Sequence, residues 1–283
     1  MKYKIPSLDV QNVLVISKKE LRDACRSKWF VLLSVIFSLI SLGLSIFGLA
    51  GTGSLGISGF GRTSASLLNL TMLIVPLLGL LLGSTSIAIE RDYGTLTTLL
   101  SQPITAVELL AGKLSGSFLA LVSTLFIGFG LSGMVISSSA GLSYLNGYLG
   151  LLLYTVLLGA IFLSIGFLIS ILVKKNITAI AISLFVWFLF ILFSDLGMMA
   201  SSIILKLTAK QLFWLILLNP VQIFKMTVVG LLQTDMQILG SIGNYALDLF
   251  GNWYLIFLTF ALLTWIFITL VLSILIFRKR PLL

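Results

Sequence analysis

The residues best suited to take part in chemistry lie in one internal segment, between positions 89 and 113. Apart from the two ends of the chain, this is the densest group of charges in an otherwise apolar sequence. Its nearest match to a chemical motif is Gly112-Lys113, which resembles the Gly-Lys pair of the phosphate-binding loop GxxxxGK[ST]. However, Val107 stands where the first glycine of that loop belongs, and Leu114 replaces its Ser or Thr. The segment is therefore not expected to bind and hydrolyse a nucleotide.

Other common chemistries are also excluded. The chain has no histidine, so it cannot form a Ser-His hydrolase site or the common imidazole metal sites. Its one cysteine, Cys25, rules out a disulfide framework or a CxxC metal pair. Methionine thioethers can bind Cu(I), but the seven methionines are scattered, and we interpret them as core residues that fill gaps. We therefore predict no catalytic, cofactor-binding or metal-binding residue in this chain, which is not expected to be an enzyme.

The same segment carries signals for helix ends. Asp92 could cap a short helix of about 92–102, which must end before Pro103 because proline disfavours helical geometry in the residue before it. Thr105 and Glu108 have the spacing of a capping box, which predicts that a second helix begins there. The short helix has an apolar face formed by Leu96, Leu99 and Leu100. Such a face is typical of a helix that docks into a groove on a soluble partner.

The elements that position this segment are membrane spans. Hydrophobic residues make up 59% of the chain and charged residues 10%, a composition typical of a chain surrounded by lipid. A span needs ~20 mostly apolar residues, and hydropathy predicts six, at about 29–50, 67–89, 116–138, 148–173, 177–199 and 253–277. We therefore predict an all-α integral membrane protein. Its six-span domain covers 29–277, after a cytoplasmic N-terminal segment 1–28 and before a cytoplasmic tail 278–283.

Basic residues determine the predicted orientation. Most of them lie before span one, between spans two and three, between spans four and five, and after span six. Those on the other side are Arg62, Lys206, Lys210 and Lys225. The positive-inside rule then places both termini in the cytoplasm, in a multi-pass protein of the plasma membrane. The net charge of +9 follows from this topology and does not indicate a nucleic-acid partner.

Two segments outside the spans leave alternatives open. Residues 10–28 place apolar and charged side chains on opposite arcs of a helical wheel, which fits an interfacial amphipathic helix or a basic juxtamembrane tail. In the external segment, about 208–232, Asn219-Pro220 interrupts an apolar run and predicts two short helices. Each is too short to cross a bilayer, so they form either a hairpin that re-enters the outer leaflet or a packed external loop.

Within the spans, a few residues are candidates for a pathway or gate. Pro76 is expected to kink span two, and Gly79-x-x-x-Gly83 permits close helix approach, either within one subunit or at a dimer seam. Asp195 is the one ionisable candidate at membrane depth, and it falls near the outer face. It is read as a snorkelling or hydrogen-bonded carboxylate at the outer rim, or as an outer gate. An ion-driven transporter usually carries ionisable residues at membrane depth, so these few candidates give it little support.

The charged segment resembles the coupling-helix region of ABC-2 type permeases, the membrane subunits of a large class of ABC transporters. The resemblance rests on Glu90-x-x-x-Gly94-Thr95-Leu96, Leu99-Leu100-x-x-Pro103 and Glu108-Leu109-Leu110-x-Gly112-Lys113. It implies that the segment docks in a cleft of a cytoplasmic ATPase subunit, which binds ATP and Mg²⁺. The implied coupling residues are Glu90, Asp92, Gly94, Thr95, Leu96, Leu99, Leu100, Pro103 and Glu108. The family commonly has an arginine shortly after the proline, where this chain has Ala106.

A narrower resemblance covers most of the chain. Stretches such as Lys18-Lys19-Glu20-Leu21-Arg22-Asp23 and Leu217-Leu218-Asn219-Pro220-Val221-Gln222 are similar to the permease of the nitrous-oxide reductase maturation transporter. This resemblance implies a homodimer and an extracytoplasmic copper-handling partner. The candidate contacts for such a partner are Trp214, Asn219, Pro220, Phe224 and Lys225. In the wider family, spans two and five face the dimer axis, which would place Pro76, Gly79 and Gly83 near a translocation path.

Two functions are expected from these observations. The first is a permease subunit that couples ATP hydrolysis by a separate ATPase to substrate export or to conformational change across the membrane. The alternative is a mechanical transmitter in a nitrous-oxide reductase maturation complex, which drives an external copper-handling protein without moving solute. A solitary channel or scaffold is a third, weaker reading.

Overall fold

Helices account for the architecture, because a backbone in lipid must satisfy its N–H and C=O groups within its own segment. A computed structural model describes residues 9–50, 57–101, 104–140, 145–204, 206–232 and 240–279. In these ranges the helices are α1 (Val10–Arg26), α2 (Lys28–Ala50), α3 (Ile57–Asp92), α4 (Thr95–Leu100), α5 (Ala106–Ala140), α6 (Leu145–Leu172), α7 (Asn176–Ile203), α8 (Ala209–Ile216), α9 (Pro220–Leu232), α10 (Gly240–Phe250) and α11 (Tyr254–Lys279). A 3-10 turn, Gly251–Trp253, joins α10 to α11.

The predicted all-α fold with six spans is confirmed. Within the described residues, six helical segments are long and apolar enough to cross a membrane: Lys28–Gly48, Thr63–Asp92, Val107–Ser138, Asn146–Leu172, Asn176–Ser194 and Ile242–Phe277. These correspond to α2, α3, α5, α6, α7 and the run from α10 into α11. The protein is therefore a multi-pass membrane protein.

Two of these helices are longer than a membrane requires. α3 has 36 residues and α5 has 35, which is about 50 Å each at ~1.5 Å per residue, compared with ~40–45 Å for a bilayer with its headgroups. The six-residue helix α4 joins their extended ends. Two long helices with a short helix between them are thus present in the backbone.

α6 occupies the centre of the bundle and packs most closely against α3. Gly79 and Gly83 of α3 face α6 of the same chain, where a β-carbon on Gly79 would lie 2.8 Å from the carbonyl oxygen of Gly159. Gly166 of α6 in turn approaches the α3 backbone at Leu80. These small residues therefore allow close helix packing within one subunit, which is the first of the two alternatives that the sequence left open.

The external segment forms the two predicted short helices. α8 and α9 meet at Asn219-Pro220 with a bend of 110°, and Pro220 is the first residue of α9, a position that needs no backbone N–H. The Trp265 indole donates to the Leu217 carbonyl at 3.2 Å, and Trp265 lies about 16 Å along α11 from Tyr254 at ~1.5 Å per residue. The tip of the α8–α9 hairpin is therefore level with the middle of α11. This depth favours a hairpin that re-enters the membrane over a packed external loop.

α10 was not predicted from the sequence. It carries apolar residues at helical spacing, Ile242, Tyr245, Ala246, Leu249 and Phe250. Glycine and polar residues between them obscure that pattern. Phe250 stacks on Phe257 of α11 with ring centroids 4.1 Å apart, so packing against α11 stabilises a helix whose own sequence signal is weak.

Candidate functional site

The charged segment of the sequence builds one end of the molecule, called here the α4 end. Helix α4 packs mainly against the end of α3, and its Leu96 belongs to a small apolar core that also contains residues of α5, α6 and α11. The core consists of Ile87, Leu96, Leu109, Leu110, Phe167, Ile171 and Phe277. The short helix is therefore packed onto the membrane bundle as part of its folded structure.

Leu96 belongs to this core and is only 2% exposed, although its predicted role was to face a soluble partner. The side chains of Leu99 and Leu100, and the whole of Pro103, lie outside the described residues. Around α4, the described residues that face solvent include Tyr93, which is 79% exposed, together with Thr98 and Ser101. Among the described residues, those that a docking protein would meet there are mainly polar, together with Tyr93.

The turn before α4 explains why Gly94 and Thr95 occur in the pattern. Gly94 has φ +72°, a left-handed conformation that glycine adopts without steric cost. The Thr95 hydroxyl donates to the Glu90 carbonyl at 3.2 Å and holds the start of α4 against the end of α3. These contacts fix the direction in which α4 leaves α3.

Asp92 does not cap α4, so that prediction is wrong. α3 continues through Asp92, and α4 begins only at Thr95. The Asp92 carboxylate instead accepts the backbone N–H of Asn176, at the start of α7, at 3.2 Å. An acidic group is favourable there because the first N–H groups of a helix lack partners in the helix.

Arg91 makes the matching contact with the end of α6. Its guanidinium Nη1 donates to the carbonyls of Ile171 at 3.0 Å and Val173 at 2.7 Å. Carbonyls at the end of a helix lack partners and favour a nearby cation. Together, Arg91 and Asp92 attach the end of α3 to the α6–α7 junction.

The predicted capping box at the start of α5 is present. The Thr105 hydroxyl accepts the Glu108 backbone N–H at 3.2 Å, and Glu108 Oε2 accepts the Thr105 backbone N–H at 2.8 Å. The other oxygen, Oε1, accepts the backbone N–H of Asp9 at 2.8 Å, and Asp9 caps the N-terminus of α1. Glu108 therefore links the first turns of α1 and α5.

A buried ion-pair network joins α1, α3 and α5 above α4. Lys113 of α5 lies 2.8 Å from Glu20 Oε2 and 3.1 Å from Glu90 Oε1, and also donates to the Ser86 carbonyl at 2.8 Å. Its side chain is 2% exposed. Lys19 of α1 approaches the same Glu90 oxygen at 3.0 Å but is 50% exposed. The interior charge is thus compensated by groups from three helices.

The titration of Lys19 reflects its position at the edge of this network. Partial burial opposes its charged form, but the hydrogen bond and negative charge of Glu90, with further help from Asp23 and Glu20, outweigh that effect and raise the Lys19 pKa above its usual value. Lys19 therefore stays charged across the physiological range.

Sequence reasoning missed this network. The sequence placed Lys113 in a phosphate-loop comparison and in the coupling-helix pattern, but it did not indicate that Lys113 and Glu20 form an ion pair. One signal was available: Glu90 and Lys113 are charges at the borders of long apolar spans, where an unpaired charge is costly. The partner on α1, more than sixty positions away, could not be identified by local spacing.

The candidate pathway residues lie on α3 and α7, and Gly79 and Gly83 pack against α6. Pro76 is inside α3 and, since proline has no N–H, it leaves one carbonyl of the preceding turn without its helical donor. Near this break the Trp187 indole of α7 donates to the Leu73 carbonyl at 2.9 Å. The side chain of Asp195 lies outside the described part of the chain, so its predicted role stays a prediction.

The candidate contacts for an external partner divide into two groups. Asn219, Pro220 and Phe224 are buried at the start of α9, where Asn219 donates to the Phe190 carbonyl of α7 at 2.9 Å. A partner cannot reach these three in this conformation, because they hold the hairpin in the bundle. Trp214 is half exposed, and Lys225 is partly exposed.

Comparison with known proteins identifies the chain's relatives. Residues 14–282 match the model of a family described as ABC-2 family transporter protein. The chain is 33% identical over 275 residues to the probable ABC transporter permease protein NosY of Pseudomonas aeruginosa, covering 95% of this chain and 98% of that protein. It is also 33% identical over 271 residues to the protein of the same name from Stutzerimonas stutzeri, covering 94% and 97%.

Proposed function

This chain belongs to the ABC-2 family of transporter permeases, and from that premise we propose that two copies of it couple a separate cytoplasmic ATPase to movement across the plasma membrane. The ATPase subunit, with its ATP and Mg²⁺, docks at the α4 end. No catalytic step is assigned to this chain. Both termini and α4 lie in the cytoplasm, as the distribution of basic residues predicts.

The observation that carries this proposal is the packing of α4 into the end of the helix bundle. Leu96 packs it into the core shared by α3, α5, α6 and α11, while Arg91 and Asp92 connect the adjoining end of α3 to α6 and α7. A push on α4 would therefore move several spans at once. Helices that form one packed unit transmit displacement because tightly packed interiors deform little.

Tyr93 is the most accessible aromatic anchor for the ATPase contact. Buried aromatic side chains dominate many interfaces, so we expect Tyr93→Asp to abolish co-purification of the ATPase with the tagged permease. The matched control, Tyr93→Phe, keeps the ring and should retain the ATPase. Full retention of the ATPase by Tyr93→Asp would overturn docking at this surface.

The alternative, mechanical transmission to an external partner, is supported by the α8–α9 hairpin. Its buried tip contacts α7 through Asn219, so motion of the bundle would be carried to the half-exposed Trp214. By analogy with the nitrous-oxide reductase maturation permease, the partner would be an extracytoplasmic copper-handling protein. ATP-dependent solute flux in proteoliposomes supports a permease, whereas an ATP-dependent change in the partner without flux supports transmission.

A further inference from the structure

A cavity of about 600 Å³ lies beside the ion-pair network, between α1, α2, α3 and α7. Its volume is within the range of ~300–1,000 Å³ that is usual for small-molecule sites. Tyr93, Thr98 and Ser101, which face solvent around α4, do not line this cavity, and neither does the α8–α9 hairpin. A space of this size among membrane helices requires an occupant whose chemistry fits its walls.

The walls change from charged to apolar along the length of the cavity. One end carries Lys19, Asp23 and Glu90, and the other is lined by Leu77, Leu81 and Leu184. Lys19 and Asp23 are exposed there, so groups of both signs are available at the mouth. An occupant must therefore have a polar, doubly charged head and an apolar tail.

The length of this gradient matches one membrane leaflet. From Glu90 to Leu77 the cavity follows about 20 Å of α3 at ~1.5 Å per residue, and one leaflet with its headgroups is also about 20 Å thick. The charged end is next to α4. That this end faces the inner leaflet rests on the proposed function, which places α4 in the cytoplasm.

We propose that the cavity holds one phospholipid of the inner leaflet with a zwitterionic headgroup bearing a primary amine. One of its two acyl chains lies along Leu77, Leu81 and Leu184, its phosphate binds Lys19 and its ammonium binds Asp23. The charged side chains of the cavity are two lysines, Lys19 and Lys113, and three carboxylates, Glu20, Asp23 and Glu90. Since carboxylates are in excess, a purely anionic headgroup is disfavoured relative to one that also carries an ammonium.

Native mass spectrometry tests this directly. The full chain, purified in detergent, is incubated with equal amounts of dioleoyl phosphatidylethanolamine and dioleoyl phosphatidylglycerol, which differ only in the headgroup. We expect one retained lipid per chain, with phosphatidylethanolamine favoured about fivefold, the effect of one charge at a lipid surface. Asp23→Asn should remove that preference.

Variants that fill the cavity locate the site. Leu81→Trp and Leu184→Trp, from opposite walls, should lose the retained lipid. Leu184 is 43% exposed, so its replacement is compatible with folding even if Leu81→Trp is not. Leu119→Trp, on an exposed face of α5, is the matched control and should retain the lipid.

Three results would overturn the proposal. They are an absence of retained lipid, equal retention of the two lipids, and a loss of lipid in Leu119→Trp that is as large as the loss in Leu184→Trp. If a second copy of the chain fills the space instead, Thr85→Cys should form a disulfide between copies and no lipid should be found. None of these results depends on ATPase co-purification, so loss of the lipid site and loss of the docking role are distinguishable.

Discussion

At the scale of single residues, Lys113 and Lys19 bind the same oxygen of Glu90 from different environments. Lys113 is buried and also contacts Glu20, whereas half of Lys19 is exposed. A buried charge that loses its partner is costly, because nothing replaces the solvation given up on folding. An exposed pair gains little, because water and salt screen it. The two lysines should therefore contribute very differently to stability.

Lys113→Met should lower the free energy of unfolding by ~3–5 kcal/mol, because it leaves Glu20 and Glu90 buried without their shared cation. Lys19→Met removes a cation from the same Glu90 oxygen and is the matched control, with an expected loss of at most ~1 kcal/mol. Denaturant unfolding of the purified chain in detergent micelles measures both. Equal losses in the two variants would show that burial does not determine the strength of this network.

The sequence revealed these residues only in part. Thr105 and Glu108 were predicted correctly as a capping box, because both partners lie within one helical turn. Asp92 was assigned to the wrong helix, since its partner Asn176 lies far away in sequence. Leu96 was predicted to face a soluble partner, but the surface that buries it belongs to its own bundle. The local sequence thus shows which kind of contact a residue requires, such as a hydrogen-bond partner or an apolar surface. It does not show which helix provides that contact.

At the scale of elements, the contact between α3 and α6 depends on glycines, which have no side chain to keep the two backbones apart. A β-carbon at Gly83 would meet the Leu163 carbonyl and lie 2.7 Å from the backbone nitrogen of Phe167. Backbone atoms of a packed helix cannot move aside as a flexible side chain can. The two helices would therefore have to separate.

Gly83→Ala should destabilise the chain by ~1–3 kcal/mol, the usual cost of forcing extra volume into a packed interior. Gly43→Ala in α2 is the control, because nothing lies within 4 Å of its β-carbon position. It should leave stability unchanged or raise it slightly, since alanine favours helix over glycine. Thermal unfolding in detergent compares the two, and a Gly43→Ala loss as large as that of Gly83→Ala would contradict this account.

The elements differ in how well their sequences predict them. The six spans were identified because long apolar runs have few alternatives in lipid. The break at Asn219-Pro220 was identified because proline removes a helix donor. α10 was missed because Gly240, Gly243 and Asn244 weaken its helical pattern, and contacts with Phe257 of α11 decide its structure.

At the scale of the whole molecule, the α8–α9 hairpin connects the surface of the protein with the interior of the bundle. Asn219 and Trp265 attach its tip to α7 and α11 near the middle of those helices. Phe190 and Trp265 pack edge-to-face beside it, with ring centroids 6.2 Å apart. Since the tip is bound to both of the last spans, a change in their separation would move the surface that carries Trp214.

The depth of this tip gives a prediction for intact cells. In a Cys25→Ser background, Leu218→Cys places a thiol on an exposed residue at the tip, and Trp253→Cys places one on an exposed residue next to the start of α11. A membrane-impermeant maleimide should label Trp253→Cys from outside but label Leu218→Cys only after detergent is added, since apolar surroundings keep a thiol protonated and unreactive. Tyr93→Cys, at the α4 end, should become reactive once the cells are opened. Labelling of Leu218→Cys as rapid as that of Trp253→Cys in intact cells would place the hairpin outside the membrane, because only a tip in contact with water would expose its thiol to the reagent.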